Sequence, residues 1–406
     1  MLFYRSPHEN PQPRLVTDHP APVPPRIFLI AEVFPPAVGG SGRWAWELYR
    51  RLDPAPTCVA AGECENSSRF DAQTSLRIER VPLAFGSWGV ASPGGLSGYA
   101  RVLRRLDRLS AGSGALQIHC GKSLPEGALG WALGRRHGWP YVVYVHGEEL
   151  NVAASSRELR WLTGRVLRGA RLVIANSENT KATLERGWAE GTRIRVLTPG
   201  VDTGTFVPAL PSPEARRSLG WADRPVLLTV GRLQRRKGHD TVIRALPAVR
   251  RDLPDVLYVV LGNGAERDRL ERLAQELGVE AHVQFRGEPA DEEIVRCYQQ
   301  CDLFVLANRE VDGDFEGFGM VLVEAQACGR PVVAGRSGGT PETLVEGSTG
   351  ELVTGGDECE VAEVVVRLLG DRSRLEAMGA RARVWAVERF DWEALAARAA
   401  AMFRGL

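Results

Sequence analysis

Glu316 and Glu324 stand eight residues apart in the stretch Asp312 to Glu342, the first at the end of a loop and the second inside an otherwise apolar run, Gly319 to Cys328. A lone carboxylate among apolar residues is costly unless it is paired or hydrogen-bonded, so Glu324 needs a partner or a ligand. Gly317-Phe318-Gly319 precedes the run, and small residues there let a ligand approach free N–H groups at the positive end of a helix dipole. Gly329 and Pro331 stop the helix, and Val332–Ala334 reads as a short buried strand. An anion at a helix start, with one acid beside it and another a turn or two inside, suits a phosphate that carries hydroxyl-rich groups, a nucleotide sugar.

Three further clusters carry chemistry. Gly39-Gly40-Ser41-Gly42 follows an apolar run and precedes a helix from Arg43, a loop that permits close backbone approach to an anion; alone it is weak, because glycines also serve turns. His146-Gly147-Glu148-Glu149 ends another apolar run, and an isolated His is more often structural than functional. Gly231-Arg232-Leu233, then Lys237-Gly238, follows a third run. A guanidinium and an ammonium there would stabilise a departing diphosphate without a metal, each contact contributing on the order of 3 kcal/mol. Arg235 and Arg236 read as solvated surface. Asp312-Gly313-Asp314 offers two carboxylates that could hold a hard divalent cation; a loop or acceptor-contact role is the favoured reading.

Short apolar runs alternate with amphipathic helices, the pattern of parallel α/β sheets. Strands are expected at 27–33, 57–60, 77–81, 116–120, 141–145, 172–175 and 194–197, then at 225–230, 256–261, 283–285, 303–306 and 331–334. Helices are expected at 43–52 and 126–137. Residues 207–213 are Pro-rich and suit a linker. The expected division is a Pro-rich disordered leader over 1–25, two doubly wound domains over 26–204 and 205–388, and a last segment over 389–406. Ligands in doubly wound sheets bind beyond the carboxyl ends of strands, where all these motifs fall.

Composition bounds the reading. A chain 44% hydrophobic and 25% charged with net charge +1 is an ordinary globular protein with room for two domains, and nothing suggests nucleic acid as a partner. Residues 1–204 carry 25 Lys and Arg against 18 Asp and Glu, a net +7, and the remainder is net −6, so the first half could face an anionic surface. Seven scattered cysteines fit reduced thiols and a cytoplasmic location, and Cys297 and Cys301 lack companions at zinc spacing. No run of ~18 apolar residues suggests a membrane span. Within Tyr99–Leu109, Tyr99, Val102, Leu103, Leu106 and Leu109 form an apolar stripe opposite Arg101, Arg104, Arg105 and Arg108. Such a helix packs on a sheet as an ordinary solvated helix, or lies on the inner face of a membrane and grips a lipid-linked acceptor.

The Glu316/Glu324 pair resembles the Glu-x7-Glu signature of retaining glycosyltransferases with the GT-B fold, in particular family 4, and residues 231–238 match that family's Gly-Arg-Leu-x3-Lys-Gly element. The resemblance covers essentially all of 26–406, including Asn176-Ser177 and Thr198–Asp202. It implies a GT-B fold, two doubly wound Rossmann-like domains facing a central cleft, with 26–204 binding the acceptor, 205–388 the nucleotide sugar, and a closing helix within 389–406 that crosses back to the first domain. It implies a glycosyltransferase moving a hexose from GDP-mannose or a UDP-hexose to a hydroxyl of a glycolipid, polysaccharide intermediate or small molecule. Carried over by position, Gly39 and Gly40 let the donor phosphate approach, His146 contacts the transferred hexose, and Arg232 and Lys237 bind the diphosphate beside Gly231. Glu316 holds sugar hydroxyls, the amides following Gly317 (Phe318, Gly319 and Met320) hold sugar and phosphate, and Glu324 takes the ribose hydroxyls. No cofactor is implied and no metal is strictly required. Such enzymes retain anomeric configuration by front-face attack within an ion pair; a covalent route through a carboxylate stays open. A non-hydrolysing nucleotide-sugar epimerase shares the architecture, but residues 231–238 argue against it, and intact His146 and Glu316 argue against a noncatalytic sugar-nucleotide binder.

Overall fold

The computed structural model describes residues 26–37, 39–52, 57–189 and 191–406; the Pro-rich leader expected over 1–25 lies outside them. Seven parallel strands form the first sheet: β1 (Ile27–Ala31), β2 (Thr57–Gly62), β3 (Arg77–Val81), β4 (Gln117–Cys120), β5 (Tyr141–Val145), β6 (Leu172–Ala175) and β7 (Ile194–Val196), in the order β3-β2-β1-β4-β5-β6-β7. Six more form the second: β8 (Val226–Val230), β9 (Leu257–Leu261), β10 (Val283–Phe285), β11 (Leu303–Leu306), β12 (Val332–Gly335) and β13 (Gly350–Val353), in the order β10-β9-β8-β11-β12-β13. These are two doubly wound, Rossmann-like domains. β1, β5, β6 and β9 are buried along their whole length, as strands covered by helices on both faces must be, which is why they read as unbroken apolar runs.

Every expected strand is present with ends shifted by at most two residues, and β13 was missed: Gly350-Glu351-Leu352-Val353 holds only two apolar side chains, too few for a period. In each sheet the strand order reverses beside the first strand, between β1 and β4 and between β8 and β11. The loops after those strands therefore diverge and leave a crevice.

The chain crosses between domains near Val201, whose N–H donates to the Phe390 carbonyl at 2.8 Å, and near Asp391, which accepts from the Thr203 hydroxyl. Beyond it, helix Trp392–Phe403 returns to the first domain, where Trp392, Leu395, Ala399 and Phe403 pack with Ile27, Leu29, Trp44 and Leu48. Helices Pro93–Ser113, Glu126–His137 and Arg157–Gly169 cover the opposite face. Among the described residues, no helix is long and apolar enough to cross a membrane.

Candidate active site

Two helices begin at the cleft from opposite domains. Gly40–Tyr49 starts behind Gly39, and Met320–Ala327 starts behind Gly319, whose φ of 96° is left-handed backbone that favours glycine. Neither has a side-chain cap, so no side chain satisfies the first-turn N–H groups on either side. The two ends face each other: a Cβ added at Gly40 would lie 3.3 Å from the Met320 Cε. Two positive dipole ends converging on one space make an anion site.

The second domain brings charge to its edge. After β8, Gly231 leads to exposed Arg232, then to buried Arg236 and Lys237. Lys237 Nζ donates to Glu316 Oε2, and Arg236 Nη1 donates to the same oxygen at 2.8 Å. The expectation that Arg236 is solvated surface is thus corrected: its side chain is 7% exposed, and it also reaches Asp314 at 3.0 Å. A buried guanidinium persists because two carboxylates compensate its lost hydration. Burial pushes the Glu316 carboxyl up, but Lys237 and then Arg236 outweigh it and hold its pKa below the ordinary value. Asp312 adopts a left-handed φ of 54° in a tight turn closed by Val311 and Asp314. Among the described residues, no cluster of three or more His, Cys, Asp or Glu has the arrangement of a metal site.

Glu324 is buried in the Met320–Ala327 helix with both oxygens bonded, Oε1 to Arg43 Nη1 at 2.6 Å and Oε2 to the Tyr298 hydroxyl at 2.8 Å. Arg43 comes from the other domain. Glu324 raises the Arg43 pKa, overcoming burial. Sequence reasoning supplied Glu324 but neither partner; a pairing across 281 residues leaves no local signal.

The first domain contributes His146 after β5. Its ring Nε2 lies 2.8 Å from the Gly121 carbonyl, which can only accept, so Nε2 carries a hydrogen. Its backbone N–H donates to Glu149, and its ring meets Trp44 edge to face at 5.2 Å. The Glu316 loop closes on it: a Cβ at Gly317 would sit 2.5 Å from the His146 carbonyl oxygen and 2.8 Å from Asn176 Nδ2, so only glycine permits this approach. Asn176 itself donates to that carbonyl at 2.9 Å. Farther along, Glu342 accepts from the Glu178 and Asn179 N–H groups at 2.7 and 2.8 Å, capping a first-domain helix from the second domain. The cleft is therefore closed in this structure. Gly39, Gly40, His146, Lys237, Glu316–Met320 and Glu324 border it; Gly231 lies beside Lys237, and Arg232 is exposed on the same loop.

The Glycosyltransferase Family 4 model matches residues 38–205 and the Glycosyl transferases group 1 model matches 211–385. A GDP-mannose-dependent alpha-(1-6)-phosphatidylinositol monomannoside mannosyltransferase from Mycolicibacterium smegmatis is 38% identical over 397 residues, 93% of this chain and 98% of that protein. The chain belongs to glycosyltransferase family 4. An enzyme of the same description from Mycobacterium tuberculosis is 31% identical, across 94% of this chain and 98% of its own. The crystal structure of Anabaena Alr3699/HepE in complex with UDP superposes with a TM-score of 0.80 at 23% identity, covering 94% of this chain and all of that one. This family 4 glycosyltransferase has the GT-B fold, and it is a hexosyltransferase that uses a nucleotide-sugar donor.

One surface feature of this glycosyltransferase concerns the helix at 99–109. Tyr99, Val102 and Leu106 are buried against the sheet, while Arg101, Arg104, Arg105 and Arg108 are exposed, so the segment packs as a solvated amphipathic helix. The same layer holds Arg157–Gly169, where Trp161 is 58% exposed among Arg157, Arg160 and Arg168. The basic character of the first half of the sequence is thus displayed partly on one face, opposite the closing helix.

Proposed function

We propose that this glycosyltransferase moves mannose from GDP-mannose to an inositol-bearing glycolipid with retention of configuration and without a resident metal. The observation that carries the donor half is the meeting of two uncapped helix starts, at Gly40 and Met320, close to the Lys237–Glu316 pair, with Arg232 exposed on the same loop as Lys237. The diphosphate lies between the helix ends, where N–H dipoles and the two cations take up the charge that grows as the anomeric carbon–oxygen bond breaks. His146 accepts a hexose hydroxyl at Nδ1. Glu316 Oε2 already serves two cations, which leaves Oε1 for sugar hydroxyls and makes the carboxylate a poor nucleophile. That supports front-face attack: the acceptor oxygen bonds to the anomeric carbon from the side the phosphate leaves, and its proton passes to the departing phosphate oxygen. Ribose hydroxyls exchange for the Arg43 guanidinium on Glu324 and keep the carboxylate satisfied.

Mannose and the lipid acceptor are taken from the relatives' described activity. The exposed arginines of 101–108 and of 157–168, with Trp161, support peripheral contact with an anionic leaflet at about 1 kcal/mol per basic residue near the surface. The test is a panel of nucleotide sugars with and without phosphatidylinositol monomannoside. Slow hydrolysis of GDP-mannose alone and transfer to the lipid are expected; a new nucleotide sugar would identify an epimerase, and preference for a UDP-hexose would reassign the donor. Sedimentation with anionic and neutral vesicles, repeated on a variant with Arg101, Arg104, Arg105 and Arg108 changed to Gln, tests the membrane face. Sedimentation indifferent to lipid charge and to those arginines would remove it.

A further inference from the structure

The two helices whose starts converge on the donor space are also tied together at their far ends, on residues 202–206 where the chain first crosses between domains. Arg50 and Arg51 follow directly on the Gly40–Tyr49 helix. The Arg51 side chain is 9% exposed and has a partner at each nitrogen: Nη1 donates to the Glu47 carboxylate, Nη2 to Asp202 Oδ2 at 3.0 Å, and Nε to Glu393 Oε1 at 2.9 Å. Arg50 Nη2 lies 3.4 Å from the same Asp202 oxygen. The other Asp202 oxygen accepts from the Gly204 and Thr205 N–H groups at 3.0 Å. Burial pushes the Asp202 carboxyl up, but those N–H groups and then Arg51 and Arg50 outweigh it and hold its pKa below the ordinary value.

Arg383, in helix Arg372–Phe390, fastens the Met320–Ala327 helix to the same segment. Its Nη1 donates to the Ala327 carbonyl at 2.8 Å and the Phe206 carbonyl at 2.7 Å, and its Nη2 donates to the Thr203 carbonyl at 3.1 Å. Ala327 ends its helix, so a cation meets the negative end of that dipole. The Phe206 ring lies 5.6 Å from the Arg43 guanidinium and 5.7 Å from the Tyr298 ring, and Arg43 and Tyr298 are the two partners of Glu324. Ten residues make the Gly40–Tyr49 helix about 15 Å long, so a tilt of about 4° at its fastened end moves its start by about 1 Å. A misplacement of that size can lower a rate by about 100-fold.

We propose that Arg51 and Arg383 are positioning residues: by fastening the far ends of both cleft helices to residues 202–206, they fix the spacing of the helix starts that receive the diphosphate. This rests on the donor reading above and deepens it.

The experiment compares wild type with Arg51→Gln, Arg383→Gln, the double variant, and Asp202→Asn, which keeps side-chain shape and an oxygen for the Gly204 and Thr205 N–H groups while removing the charge that Arg51 meets. Hydrolysis of GDP-mannose without acceptor gives kcat, calorimetry gives GDP affinity, and thermal unfolding gives stability. Each single variant should lower kcat by about tenfold and GDP affinity by less than about threefold, because the helix starts matter most as charge grows on the leaving group. The double variant should lose little kcat beyond the worse single one, since one loosened helix already undoes the spacing, while its losses in stability add. Unchanged kcat with lowered stability, or kcat losses that multiply in the double variant, would show separate local roles and overturn the proposal. Should a glutamine variant fail to fold, Asp202→Asn decides by the same comparison of kcat with stability. If wild type neither binds GDP or UDP nor hydrolyses any nucleotide sugar, the donor reading itself fails and takes this positioning role with it.

Discussion

Replacing Arg236 with Gln should cripple transfer, whereas replacing Arg235 should not, although the two are adjacent and of one type. Arg235 is exposed. The Arg236 side chain is 7% exposed and donates at 2.8 Å to a Glu316 carboxylate that is itself 13% exposed. A hydrogen bond between charged groups at low exposure contributes about 1.5–3 kcal/mol, while the second bridge, to an Asp314 that is 50% exposed, adds little. If Glu316 acts on the sugar in flight, that range predicts kcat lower by about 10- to 150-fold, with GDP affinity changed by less than about threefold. The pH profile supplies a second readout. Ionised Glu316 contributes stability that is present above the ordinary value of 4.5 and lost as pH falls through the lowered folded-state value. Removing Arg236 lets the folded-state value rise, so both the acid limb of kcat and the acid unfolding midpoint should move to higher pH. Initial rates and denaturation across acid pH measure this. Equal kcat in the Arg235 and Arg236 variants, or an unmoved acid limb, would refute the assignment.

If cations and helix ends stand in for a metal as proposed, activity should survive excess chelator; complete loss that a divalent ion restores would promote Asp312 and Asp314 to ligands. Glu324→Ala should chiefly weaken GDP binding, with Tyr298→Phe intermediate, and an unaltered calorimetric GDP affinity in Glu324→Ala would remove the ribose role. Gly317→Ala should lower kcat by about tenfold or more by holding the domains apart at the His146 carbonyl, since small misplacements are expensive in catalysis; a fully active variant would show that the closed approach is not needed. Glu342→Ala loses two cross-cleft hydrogen bonds and should enlarge the radius of gyration in X-ray scattering, while an unchanged curve would discount Glu342 as a latch.

Much of the fold was legible because burial on both faces writes unbroken apolar runs such as Ile27–Ala31 and Tyr141–Val145, and because glycines mark turns where backbone meets backbone or anion. Glu324 stood out as a charge inside an apolar helix, while Glu316, Lys237 and His146 lie in loops beside strand or helix ends, where the resemblance to the family's motifs singled them out. β13 escaped because two apolar residues make no pattern, and Arg236 because its side chain chemistry is identical to that of exposed Arg235.

The order of strands and loops, the residue types at their ends and the family they match were set by the sequence, since propensity and periodicity are local properties. Which of two neighbouring arginines is desolvated was decided by the tertiary structure alone, as were the pairing of Arg43 with Glu324 and the capping of Glu178 by Glu342. Burial and distance depend on how separate segments pack, and the energy of a charge or hydrogen bond depends on both. The same residue is therefore inert in water and decisive in a closed cleft.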